Sequence, residues 1–230
     1  MSNIITIIKK QLKDTLKNKT VFIHFIMFPV LTLIMNRAIT IDGMPENFFV
    51  NLFATMYIGM APLTSISAII AEEKEKNTLR VLLMSNVKPY EYLLGIGSYV
   101  WFVCMIGAGI ICAAGSYDLQ EGLAFMLIMA IGIIASLLMG AVIGTWSKTQ
   151  MMATSVSVPV MMIFSFLPML SMFNSTIEKV AKIIYSEQIS VMLNEVGSLR
   201  LELDNIGIIF FNVLLFVILF AAAYRKCGLE

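Results

Sequence analysis

One histidine, His24, stands in the whole sequence, with three cysteines, Cys104, Cys112 and Cys227. A multi-histidine metal site is therefore excluded, and the cysteines show neither metal-ligand pairing nor the density of a disulfide framework. No Gly-Lys pair occurs, so the chain lacks a G-x-x-x-x-G-K-[ST] loop to hold nucleotide phosphates. "EEKEKN" from Glu72 begins like the EExxxR pattern of an intramembrane glutamate protease, but Asn77 stands where arginine would be required and partner histidines are missing. Charge is scarce too, at 13% of residues, and it is absent altogether from six long apolar runs.

Those runs are what the sequence has in abundance. With 59% hydrophobic residues, the chain cannot hide its apolar surface in a water-soluble core and reads as an all-α membrane protein. A helical span needs ~20 apolar residues, and the candidates are residues 20–36, 48–71, 93–114, 123–146, 155–173 and 206–224 of a single transmembrane domain, 1–230. Ionisable groups inside a bilayer usually mark ion paths or proton relays. Their absence speaks against an ion-coupled carrier or a charged-filter channel.

Residues 1–19 lack the apolar block and cleavage site of a signal peptide. Ile4, Ile5, Ile8, Leu12 and Leu16 instead recur at helical spacing with Lys9, Lys10, Lys13 and Lys17 between them, the pattern of a basic amphipathic helix lying in the membrane interface. Twelve of the sixteen Lys and Arg residues fall at the N-terminus, in the link 72–92, at Lys148 and in the tail. The positive-inside rule then places both termini and the 72–92 link in the cytoplasm of a plasma membrane. The richness in Ile, Lys and Asn suggests a bacterial source.

Within the fourth run Gly132, Ser136, Gly140 and Gly144 recur every four residues, a small-residue stripe that lets another helix approach closely; packing inside one subunit is favoured over a dimer contact. Pro29, Pro62, Pro159 and Pro168 each release a backbone carbonyl and tend to kink their spans. Between the fifth and sixth runs, residues 174–205 carry a capping-box signature, Ser175 with Glu178, followed by the apolar face Ile177, Val180, Ala181 and Ile184. A second cluster, Val191, Met192, Val196 and Leu199, suggests another short helix. The pair is expected to rest on or dip into the outer leaflet.

The segment "EKEKNTLRVLLMSNVKPYEYLLG" combines an acidic-basic run, apolar leucines and a proline that restarts a helix. Glu72 with Lys76, and Glu75 near Arg80, would support a helix continuing beyond the membrane. It resembles the cytoplasmic segment of type-2 ABC transporter permeases. Glu73, Glu75, Thr78, Leu79, Leu82, Leu83, Leu94 and Gly95 match that form, whereas Asn77 replaces its usual Gly, Arg80 its Glu, Asn86 a frequent Pro and Ile96 its Lys.

The resemblance implies that residues 72–92 form the coupling element seated in a cleft of a separate nucleotide-binding ATPase. That partner would bind the ATP and Mg, with no cofactor, metal or catalytic residue in this chain. It implies as well a second permease subunit, identical or different, enclosing the substrate route; nucleic acid is not an expected partner, and membrane lipids are. Leu79→Asp is expected to uncouple transport without removing the chain from the membrane.

A charge-free interior suits an apolar or amphipathic cargo. Candidate route residues are Asn51, Thr55, Met56, Thr64 and Ser65 of the second run, and some of the 18 methionines offer an adaptable lining. The expected role is ATP-driven export, with a peptide toxin or bacteriocin-like peptide first, then a drug or lipid-linked glycan. The competing class is an ATPase-independent membrane protein that binds, senses or confers immunity to a toxin.

Overall fold

The computed structural model describes residues 2–17, 19–39, 43, 45–84, 87–198 and 203–227, and every regular element among them is helical. In chain order these are α1 (Ser2–Lys17), α2 (Lys19–Ala38), α3 (Phe48–Glu75), α4 (Thr78–Met84), α5 (Pro89–Ala114), α6 (Leu119–Trp146), α7 (Gln150–Ser171), α8 (Ser175–Ala181), α9 (Tyr185–Asn194) and α10 (Leu203–Cys227). Helices α3, α5, α6, α7 and α10 are long and apolar enough to cross a membrane. The apolar part of α2, Phe22–Ala38, is shorter than these five, so five of the six expected runs appear as long apolar helices.

Local chemistry sets several helix ends. The Thr149 hydroxyl accepts from Met152 N–H at 3.2 Å at the start of α7, the Asn-Ser-Thr class of N-cap. Pro89 opens α5, where its missing N–H costs nothing, and the Glu91 carboxylate accepts from Lys88 N–H at 3.0 Å. Asn174, one residue earlier than the expected Ser175, caps α8 by accepting from the N–H groups of Thr176 and Ile177. Both side chains are competent caps; Asn174 is the one in extended conformation.

The centre of the bundle is α3, the most enclosed of the long helices, with α10 the least. Its most extensive contacts are with α6 and α7, and α2, α5 and α9 also touch it. Close approach explains the glycines. A methyl group at Gly140 would come within 2.4 Å of the Leu63 carbonyl, one at Gly144 within 3.0 Å of the Ser67 carbonyl, and one at Gly132 would press on Ile58. Ser136, the fourth member of the stripe, donates to the Ile58 carbonyl at 2.6 Å. The stripe thus faces α3 of the same subunit, where small residues let backbones meet and dispersion contacts accumulate without help from a hydrophobic effect.

On its other side α3 meets α7 through Gly59, which lies against the backbone of Phe164 and Ser165. The Ser165 hydroxyl donates to the Met56 carbonyl, and Ser67 and Ser157 share a hydrogen bond at 2.8 Å.

Between α7 and α10 the chain forms the two short helices α8 and α9, and the second is packed into the bundle. All of Tyr185 to Ser190 is buried, with Met192 and Leu193, and α9 contacts α3, α6, α7 and α10. Tyr185 anchors it: its hydroxyl meets the Ser136 hydroxyl at 2.7 Å, and its ring lies against Phe164 and Phe216. Helix α9 is a wedge in one end of the bundle, whereas α8 stays at the edge with Val180 exposed and only Ala181 buried. The expected apolar position Leu199 lies outside the described residues.

Candidate functional site

The end of the bundle opposite α9 gathers the charged run of α3. Helix α3 continues to Glu75, a full turn past the expected span end at residue 71. The charges of that last turn each hold a different element. Glu73 Oε1 accepts from Lys10 Nζ and from Gln11 Nε2, both at 2.5 Å, which ties α1 to α3. Lys74 Nζ donates to the Thr145 carbonyl at 2.7 Å, near the end of α6, where a cation favours the carbonyl-rich terminus. Glu75 Oε2 accepts from Gln150 N–H at 2.7 Å, the first residue of α7, an anion at a helix start. Glu72 pairs with Lys76 one turn on at 2.5 Å, as the spacing predicts; the expected partner of Glu75 was Arg80, whose side chain lies outside the described residues.

These groups are not equally wet. Glu73 is buried, and Lys10 is only part-exposed. A carboxylate taken out of water needs a countercharge and further donors, and α1 supplies both. Lys76 is exposed, and its pKa is raised by the hydrogen bond and charge of Glu72, with a smaller contribution from Asp14.

Immediately beyond, Asn77 adopts φ 55°, in the left-handed region. This is the position at which asparagine replaces the usual glycine of the permease segment, and asparagine is among the few residues that enter that region readily. Thr78 Oγ1 donates back to the Glu73 carbonyl across this turn into α4.

On α4 the residues singled out from the sequence divide. Leu79 is 1% exposed and belongs to the subunit's own core, and Leu82 is half-buried against that core. Thr78 is spent on the turn. The side chain of Leu83 lies outside the described residues. The exposed apolar side chains are Val81 and Met84, 62% and 80% exposed, one turn apart on one face. Leu79→Asp therefore alters a core position: a carboxylate there would be buried without a partner.

The residues expected to line a substrate route are inside the subunit. Asn51, Thr55, Met56, Thr64 and Ser65 are all buried. Thr55 and Thr64 return their hydroxyls to carbonyls one turn back in α3, the common fate of Thr in an apolar helix. Asn51 accepts from the Tyr117 hydroxyl at 2.5 Å and donates to Asn194, joining α3 to the α5–α6 link and to α9.

Sequence reasoning missed Gln11, Lys74 and Val81. Gln11 carries no signal that separates it from Ser2, Asn3, Thr6 and Thr15, the other uncharged polar residues of α1. Nothing in the pattern of a seven-residue helix says which of its apolar sides is covered.

A family model described as "ABC-2 family transporter protein" matches residues 1–225, nearly the whole chain. No curated protein matches at a significant level.

Proposed function

The chain belongs to the ABC-2 family of transporter proteins and so is a membrane subunit of an ABC transporter, and from that premise we propose that it is the permease of an exporter driven by a separate ATPase docked on α4. ATP and Mg bind to that partner. The observation that carries the reading is the lashing of the last turn of α3: Glu73, Lys74 and Glu75 reach α1, α6 and α7 respectively. A displacement of α4 pulls on this turn, and through it on three other helices at once. Rigid elements joined by such bonds are what mechanical coupling between subunits requires.

In this reading α2 completes six spans, both termini face the cytoplasm, α4 lies on the cytoplasmic side and α9 plugs the outer end. A second permease subunit, identical or different, completes the route. The buried serines, threonines and Asn51 serve the packing of α3, so the route runs along the outer faces of the subunits where two of them meet. No Asp, Glu, Lys or Arg falls within the apolar runs, which favours an amphipathic or hydrophobic cargo, a peptide of the bacteriocin kind before a drug or a lipid-linked glycan. The test is transport into inverted membrane vesicles carrying the chain and its co-purifying ATPase. ATP-dependent accumulation of a fluorescent amphipathic peptide inside supports export, and ATP-independent binding alone refutes it.

A further inference from the structure

Helix α1 docks on the bundle along one side, with only part of its apolar stripe against the core. Ile7, buried against Gly95 of α5, Lys10 and Gln11, joined to Glu73, and Asp14, close enough to act on Lys76, occupy one side of the helix. Ile5, Lys9, Leu12 and Lys13 fall at i, i+4, i+7 and i+8 on the other, and all four are exposed. The only acidic residue of α1 is thus turned away from this outer face, which presents two lysines beside two apolar side chains.

Next to that face runs an apolar groove of ≈ 430 Å³ between α2 and α5. Phe22, Ile26 and Val30 line one wall and Tyr99, Val103 and Ile106 the other, and Leu12 of α1 joins the lining. The lining of α2 extends from Phe22 to Leu33, about 16 Å at the helical rise, roughly half of the ~30 Å hydrocarbon thickness. Its volume falls in the range of small-molecule sites. No charged side chain lines it.

We propose that this groove holds an acyl chain of an anionic phospholipid, with the headgroup phosphate met by Lys9 and Lys13. An apolar slot lined by Leu12, with the exposed Lys9 and Lys13 on the same helix, complements an amphiphile that carries a negative charge at the head of a hydrocarbon tail. A zwitterionic lipid gains the slot but not the net charge. A second copy of the chain would have to present an anionic, helix-shaped ridge, and the exposed faces of α5 and α10 are apolar. The lipid fixes α1 against α2 and α5 from outside while Glu73 holds it from inside. The proposal requires a membrane-spanning chain but not the export reading.

The experiment is native mass spectrometry of the full chain in mild detergent, titrated with phosphatidylglycerol or phosphatidylcholine of matched acyl chains. The expected result is a preference for phosphatidylglycerol on the order of tenfold, since cationic side chains near the headgroup favour an anionic lipid. Lys9→Gln with Lys13→Gln, both at exposed positions, removes the preference, while Arg225→Gln with Lys226→Gln leaves it. Ile106→Trp, which fills the groove, reduces retention of both lipids. Equal retention of the two lipids by the unmodified chain, or a preference that survives the Lys9 and Lys13 changes, overturns the proposal. So does a dimer that Ile106→Trp alone abolishes, which would seat a second copy in the groove.

Discussion

Gln11 and Glu73 meet at 2.5 Å across 62 residues of sequence, and with Lys10 on the same carboxylate oxygen they fix the amphipathic helix to the turn from which α4 departs. The asymmetry of burial at this junction sets the first expected outcome. Lys10→Met leaves Glu73 buried beside Gln11 without a countercharge, and breaking a buried pair from one side costs ~3–5 kcal/mol, less here because Lys10 is part-exposed. Glu73→Gln removes the charge and keeps an acceptor for Gln11. In a thermal melt, Lys10→Met lowers Tm more than Glu73→Gln; the reverse order contradicts the junction as described.

Asn77 provides a test of backbone geometry independent of any partner. At φ 55°, Asn77→Gly keeps the turn, while Asn77→Val forces a β-branched residue into the left-handed region at a cost of about 1–2 kcal/mol. The valine variant melts lower and the glycine variant within a degree or two of the parent.

The glycines of α6 and α5 differ in a way that one substitution each exposes. Gly140→Ala puts a methyl 2.4 Å from a backbone carbonyl and has to push α3 and α6 apart, an overpacking cost of about 1–3 kcal/mol. Gly97→Ala meets nothing within 4 Å and gains helix propensity, up to ~1 kcal/mol. The two variants shift Tm in opposite directions.

Glu187 on α9 is buried, and both of its carboxylate oxygens lie 2.9 Å from the Ser171 hydroxyl. Burial raises its pKa above the usual 4.5, opposed by the Ser171 hydrogen bond; the negative charge of Glu178 raises it further, and Lys182 opposes. A carboxyl whose folded pKa is raised stabilises the fold fully below its unfolded value and loses that contribution as pH rises through the folded value. Stability measured from pH 4.5 upward therefore declines and then levels off. Glu187→Gln, neutral throughout, flattens this part of the profile, and an unchanged profile contradicts the assignment.

How much of this the sequence carried depends on the length scale. The long apolar helices were legible because hydropathy over about 20 residues is a property of the segment itself, and the stripe of Gly132, Ser136, Gly140 and Gly144 because helical periodicity makes a face. The amphipathy of α1 was legible too, but its docking face was not: Ile7, Lys10 and Gln11 are chosen by Gly95 and Glu73, distant in sequence. The burial of α9 was hidden because Ser186, Glu187 and Gln188 look like solvent-facing residues until Ser171 and the Lys182 carbonyl are seen to satisfy Glu187 and Gln188. Asn51, Thr55 and Ser65 were conspicuous as polar groups in an apolar helix, but their burial is set by packing between helices that the pattern does not show.

The central claim is that a separate ATPase is held by the outer face of α4. The direct measurement is purification of the tagged chain from native membranes in parallel with Val81→Asp/Met84→Asp, whose positions are exposed, followed by identification of bound proteins and assay of ATP hydrolysis. The account predicts that an ABC ATPase accompanies the unmodified chain and is lost from the variant, while the variant stays in the membrane and melts within a few degrees of the parent. A variant that retains the ATPase in full, or an unmodified chain that emerges alone in mild detergent and in nanodiscs, would contradict it.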